Sequence, residues 1–205
     1  MENFEKNIFI NCPFDEDFES LLRPLLFTIV YLGFIPRIAL EDSDGSVNRS
    51  SKILKIIRES KNSIHDLSRI KSKNKNEFAR LNMPFELGID FGSKEFSGNH
   101  KDKKFLVLSE KEYDYKKALS DFSGFDAKIH QKDPIKLVII IRDWFYDTIG
   151  ITNAATGMKI WFEFQDFLLH YSMKRGSEGY RGDKELNSIY PIREYIQIIK
   201  DWKKL

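Results

Sequence analysis

A chain of 205 residues can bury one sizeable core with an appendage, or at most two small ones. Its 33 Lys+Arg nearly balance its 31 Asp+Glu, so no global field points to a nucleic-acid partner. The single cysteine, Cys12, excludes an internal disulfide and a cysteine-rich zinc site and fits a reducing compartment. The 17 Phe and 8 Tyr argue for an aromatic core rather than a disordered chain. The acidic start, Met1 to Lys6, precedes an apolar run too short for a signal peptide. Arg23, Pro36 and Arg37 interrupt the longest apolar stretch before it reaches the ~20 residues that span a bilayer. The expectation is a soluble cytoplasmic protein.

Asn7 to Asn11 reads as a short buried strand that Pro13 ends by forcing Cys12 out of helical geometry. Asp15, Glu16 and Asp17 make the acidic first turn of a helix whose apolar face is Phe18, Leu21, Leu22, Leu25, Ile29 and Leu32. Pro24 should kink or split it, and Gly33 should stop it. Phe34 to Leu40 is a second strand, placed at a sheet edge by Pro36, which cannot donate to a ladder on both sides. A turn-rich loop at Glu41 to Gly45 leads to a helix capped by Ser50 or Ser51, with Ile53, Leu54, Ile56 and Ile57 inward.

Ser63 to Leu67 is a third strand ending in Ser68 and Arg69, and residues 70–77 form a basic, solvated loop. Lys104 to Leu108 is a fourth strand, Tyr113 to Phe122 a helix, and Ala127 to His130 a short fifth strand. Asp133 and Pro134 open a helix with Leu137, Val138, Ile141, Trp144, Phe145 and Ile149 inward, ending at Gly150. Strands alternating with helices predict an α/β fold with a parallel sheet covered on both faces. With strand two at the edge, the order is 2-1-3-4-5, the flavodoxin-like arrangement. Its ligand crevice lies beyond the carboxyl ends of strands one and three, where Asn11 to Phe14, Asp66 to Arg69 and Asn82 to Glu86 converge.

Residues 1–150 account for that domain; residues 151–205 read as a C-terminal helical extension. It holds an aromatic helix (Met158, Trp161, Phe162, Phe164, Phe167, Leu168, Tyr171), a connector with Gly176, Gly179 and Gly182, and a last helix through Ile192, Tyr195, Ile196, Ile199 and Trp202. The aromatic helix packs on the core or forms a dimer interface. The three glycines follow no strand, so they are not a dinucleotide fingerprint.

Asn82-Met83-Pro84-Phe85-Glu86-Leu87-Gly88 is the stretch with chemistry in it. With Asn82 as N-cap, Pro84 falls in the first turn and Glu86 lies near the positive end of the helix dipole. The residues leave open whether Glu86 merely complements that dipole or is a reacting carboxylate. His65 reads as a core or interface histidine, and His100, His130 and His170 share no metal-ligand spacing. Cys12 lies where a helix N-terminus can lower its pKa, but it has no paired histidine.

The segment from Arg80 to Gly88 resembles the R-x-N-V-x-F-E-L-G signature of bacterial TIR-like domains, in the superfamily that also holds the nucleoside deoxyribosyltransferases. Ile8 to Phe14 resembles the first TIR box, with Asn-Cys-Pro where those domains more often carry Ser-Tyr, and Ser63 to Ser68 resembles the strand before the glutamate helix. The likeness covers about residues 6–150, with Pro84 in place of the usual aliphatic residue. It implies cleavage of an N-glycosidic bond, of NAD by hydrolysis or cyclisation to an ADP-ribose-type signal in anti-phage defence, with Glu86 catalytic. Asn11 and Phe14 would hold the nicotinamide side, Ser68 and Arg69 the ribose or phosphate, with Asp66 and Asn82 as further contacts. NAD is then a substrate, no metal or other cofactor is expected, and a homo-oligomer is expected because a neighbouring subunit commonly completes such sites. A nucleoside or nucleotide glycosidase or base transferase, which would need a second acid such as Asp66, is the alternative enzyme. A silent nucleotide sensor or adaptor is the third reading.

Overall fold

The computed structural model describes residues 3–72, 79, 81–122 and 124–204. Five strands, β1 (Asn7–Asn11), β2 (Ile35–Ile38), β3 (Asn62–Asp66), β4 (Lys104–Ser109) and β5 (Lys128–Ile129), form one parallel sheet in the order β2-β1-β3-β4-β5. The expected α/β flavodoxin-like order is therefore the observed one. Pro36 pairs with Ile8 at the edge, where its missing N–H faces no second neighbour. Strand alternation sorts the core: Ile8, Ile10, Leu106 and Leu108 point to one face, Phe9 and Val107 to the other.

On the first face lie α1 (Glu16–Tyr31) and α5 (Pro134–Trp144), and on the second lie α2 (Arg49–Glu59), α3 (Asn82–Phe96) and the short α4 (Asp114–Ala118). Asp15 caps α1 by accepting from Phe18 N–H, and Asp133 caps α5 with Pro134 in the first turn. Pro24 does not split α1, which runs unbroken, and Thr28 Oγ donates to the Pro24 carbonyl at 2.7 Å. Asn48, not Ser50 or Ser51, caps α2, accepting from Ser50 N–H at 2.8 Å, and Leu54 turns to solvent. Strand β2 and helix α4 are shorter than the apolar patterns imply, because each runs into a 3₁₀ turn (Ala39–Glu41 and Ser120–Phe122).

The extension consists of α6 (Gly157–Ser177), α7 (Asp183–Leu186) and α8 (Ile192–Trp202). It shares the core of the first face rather than building its own. Phe27 of α1 lies 5.4 Å from Phe164, 5.3 Å from Phe167 and 5.6 Å from Trp202, ring centre to ring centre. Such pairs each add about 1 kcal/mol beyond the area they bury, so the extension and α1 hold one another in place. Among the described residues no helix is long and apolar enough to cross a membrane.

Candidate active site

The N-terminus of α3 is clamped against the carboxyl edge of the sheet. Asn11, the last residue of β1, donates from Nδ2 to the Met83 carbonyl at 2.8 Å and to His65 Nδ1 at 3.0 Å. A carbonyl accepts only from the amide nitrogen, which fixes the orientation of Asn11, makes His65 Nδ1 an acceptor and leaves the ring proton on Nε2. That nitrogen lies 3.0 Å from Asp90 Oδ2, which also accepts from Ser63 Oγ, while Lys103 pairs with Asp90 Oδ1. His65, Asp90, Ser63 and Lys103 are all buried. The clamps grip α3 at Met83 and at Asp90, and Glu86 stands between them on the same buried stripe.

Asp90 and Glu86, one turn apart, meet opposite fates. Burial pushes the Asp90 carboxyl up, but the hydrogen bond with His65 and the contact with Lys103 outweigh it and hold the group below its ordinary value. Burial likewise lowers Lys103, against the pull of Asp90. Glu86 is 9% exposed and makes no hydrogen bond or ion pair among the described residues. Burial raises it to about 7, with only the charge of Arg49 acting the other way. Two carboxylates set apart in this way are the pattern of a structural anion beside a reactive one.

Hydrogen bonds bring the end of β1 to the start of α3, through Asn11 and the Met83 carbonyl, and the loop after β1 to the end of β3, through Asp15 and Arg69. Burial drives the Cys12 thiol well above its ordinary pKa, and the charges of Asp66, Glu86 and Asp15 add to the rise. The expected lowering by a helix N-terminus is thus reversed, and Cys12 is an inert buried thiol. Phe14, half-buried, carries the Arg49 guanidinium 5.6 Å above its ring. Arg69 makes two hydrogen bonds to Asp15, at 2.9 and 3.1 Å. Asn82 is exposed and is the first helical residue, not the cap; Leu81 holds the cap position and supplies no side-chain bond. Arg80 and residues 73–77 of the basic loop lie outside the described residues.

Ser68, His130 and Asp66 meet at the end of β3 in an arrangement that looks like a hydrolase triad and lacks its wiring. His130 Nδ1 accepts from Lys132 N–H at 3.1 Å, so the ring proton sits on Nε2. Ser68 Oγ and Asp66 Oδ2 both lie 3.0 Å from that same Nε2, and Asp66 Oδ1 accepts from Ser68 N–H at 2.8 Å. A nitrogen that already carries its proton cannot take one from the serine, and the aspartate is on the wrong side of the ring. The trio pins the loop after β3; Asp66 is buried, with Oδ1 held by the Ser68 N–H and Oδ2 beside His130 but without a hydrogen bond of its own.

Two clefts lie on either side of the Asp15–Arg69 pair, and Glu86 lines neither. One of about 440 Å³ is lined by Ser68, Arg69, Lys71, Ser109, Lys111 and Lys132, with Glu110 and Asp114 as its acids. The other, of about 550 Å³, lies between the loop after β1 and the extension, where Phe14 and Tyr190 are its aromatic walls. Its carboxylates, Asp15, Glu16, Glu19 and Asp183, outnumber Arg23 and Lys184. Sequence reasoning missed Tyr190 and Arg49. Tyr190 sits in an aperiodic turn, and placing the cap at Ser50 or Ser51 left Arg49 in the loop before the helix that in fact begins with it. Among the described residues no group of three or more His, Cys, Asp or Glu is placed to hold a metal ion. Comparison with protein-family models, with curated proteins and with solved structures returned no match to this chain.

Proposed function

We propose that the chain is a TIR-like enzyme that cleaves the ribosyl–nicotinamide bond of NAD, with Glu86 as the reacting carboxylate. The observation that carries this reading is Glu86 itself: nearly buried, unpaired among the described residues, and held by its neighbours at the mouth of a parallel sheet. When the bond breaks, its electron pair passes to the ring nitrogen and neutralises the pyridinium, so nicotinamide leaves without a proton donor. Positive charge develops on the anomeric carbon, where a carboxylate within about 3 Å stabilises it until water or an adenine nitrogen captures the ribosyl cation. The cleft with Arg69, Lys71, Lys111 and Lys132 supports a diphosphate, and the acid-rich aromatic cleft supports a cationic ring.

Nucleosides are the poorer fit, because their leaving base needs a proton and the acid that sequence nominates, Asp66, is buried against His130 and Ser68. The test is release of nicotinamide from NAD by the purified protein, with products identified by mass spectrometry. Glu86→Gln should reduce turnover by at least about a hundredfold, the scale of losing a main electrostatic contact to the transition state. Undiminished release by that variant would remove Glu86 from the reaction.

A further inference from the structure

The outward face of α6 carries Met158, Phe162, Leu169 and Met173, exposed by 44%, 62%, 67% and 76%. On the same helix Ile160, Phe164, Phe167 and Tyr171 are buried in the core. At 3.6 residues per turn the four exposed side chains fall within one sector of about 60°, opposite the buried stripe. A helix seated by one face on a core should be polar on the other, and here an apolar stripe runs along it between the exposed Gln165 and Asp166. The stripe is also symmetric. Met158 and Met173 are equally distant from the midpoint between Gln165 and Asp166, and so are Phe162 and Leu169.

We propose that this face is the interface of a homodimer in which two copies of α6 pack antiparallel about a two-fold axis at that midpoint. The pairing sets Met158 against Met173 of the second copy and Phe162 against Leu169. A two-fold contact requires a self-complementary patch, whereas an unrelated partner would place no symmetry on the pattern. The exposed fractions amount to between two and three whole side chains. At about 200 Å² each, that is roughly 1,000 Å² over both copies, where specific interfaces begin. Asp166, exposed beside the axis, is the one mismatch, since it faces its own counterpart.

Sedimentation equilibrium of the full chain tests this, together with cysteine cross-linking. Wild type should sediment as a dimer at micromolar concentration. Leu169→Glu should weaken association by at least about thirtyfold, as loss of a central apolar contact does, while far-UV circular dichroism shows the fold unchanged, because Leu169 is 67% exposed. Asp166→Asn should tighten it by about twofold, by removing a like-charge pair. Gln165→Cys, at the axis, should form an intermolecular disulfide on mild oxidation, since the one native thiol is buried. A monomeric wild type at 100 μM, a dimer that survives both Leu169→Glu and Phe162→Glu, or a dimer that Gln165→Cys does not cross-link would each overturn the proposal.

Discussion

Replacing Glu86 with glutamine should change stability in a way that depends on pH, and the sign follows from where the carboxyl titrates. In the unfolded chain it ionises near 4.5, and in the folded protein near 7, because burial opposes the charge. Below 4.5 both states are protonated and the charge costs nothing. Between 4.5 and 7 the unfolded chain loses its proton while the folded one keeps it, so stability falls as pH rises, and above 7 the loss is complete. The gap corresponds to about 3 kcal/mol as an upper bound, and solvent at the open edge of the site reduces it to roughly 2 kcal/mol. Glutamine does not titrate. The stability of Glu86→Gln relative to wild type should therefore be higher at pH 8 than at pH 5 by about 2 kcal/mol. Any cost of burying the amide is the same at both pH values and cancels. Urea unfolding of the two proteins at each pH measures the difference directly. A variant that tracks wild type within about 0.5 kcal/mol at both pH values would mean that the Glu86 carboxylate is solvated or paired, and the site argument would fail with it.

Further expectations follow from the same geometry. The value of kcat/KM for NAD should rise with pH through about 7 as Glu86 ionises, and Arg49→Ala should move that limb to higher pH, read from a pH–rate profile. Asp90→Ala should cost about 3–5 kcal/mol in urea unfolding by leaving Lys103 buried without its partner, and the double variant with Lys103→Met should recover part of it. A fluorophosphonate probe should not label Ser68, because His130 holds its proton on the nitrogen that faces the hydroxyl; an adduct at Ser68 by mass spectrometry would contradict the tautomer.

The fold was legible because its signals are local. Alternation along Ile8, Phe9 and Ile10, the caps at Asp15 and Asp133, and an edge proline at position 36 each determine one step, and together they select a single strand order. The errors lie where a longer-range contact decides. Asn82 has the side chain of a cap, yet Asn11 and Asp90 anchor α3 one residue earlier than that cap would. Leu54 fits the apolar stripe of α2, but Phe9, Ala39 and Ile89 leave room for Ile53, Ile56 and Ile57 only. For the candidate site, the position of Glu86 could be read from its helix, but the clamp that holds it could not. His65, Asp90 and Lys103 are 13 to 38 residues apart in the chain, and no spacing announces that they meet.

The contrast between those two turns of α3 is the firmest pointer to chemistry in the molecule. Around Asp90 each local requirement is met: the carboxylate has three partners, the histidine has its tautomer set, and the lysine reaches both Asp90 and the Ile57 carbonyl. One turn earlier the rules are broken together. The helix begins without a side-chain cap, Leu81 and Phe85 stand 62% and 66% exposed, and Glu86 is buried with no partner among the described residues. The missing cap and the unpaired buried carboxyl each cost about 1 kcal/mol or more, and a helix start under no demand except folding would shed them through single substitutions. The Asp90 clamp supplies the rigidity that makes so unfavourable a start tolerable. Under the proposed function, stability concentrated at one turn and withheld at the next keeps a carboxylate poised for a substrate rather than neutralised by the chain's own side chains.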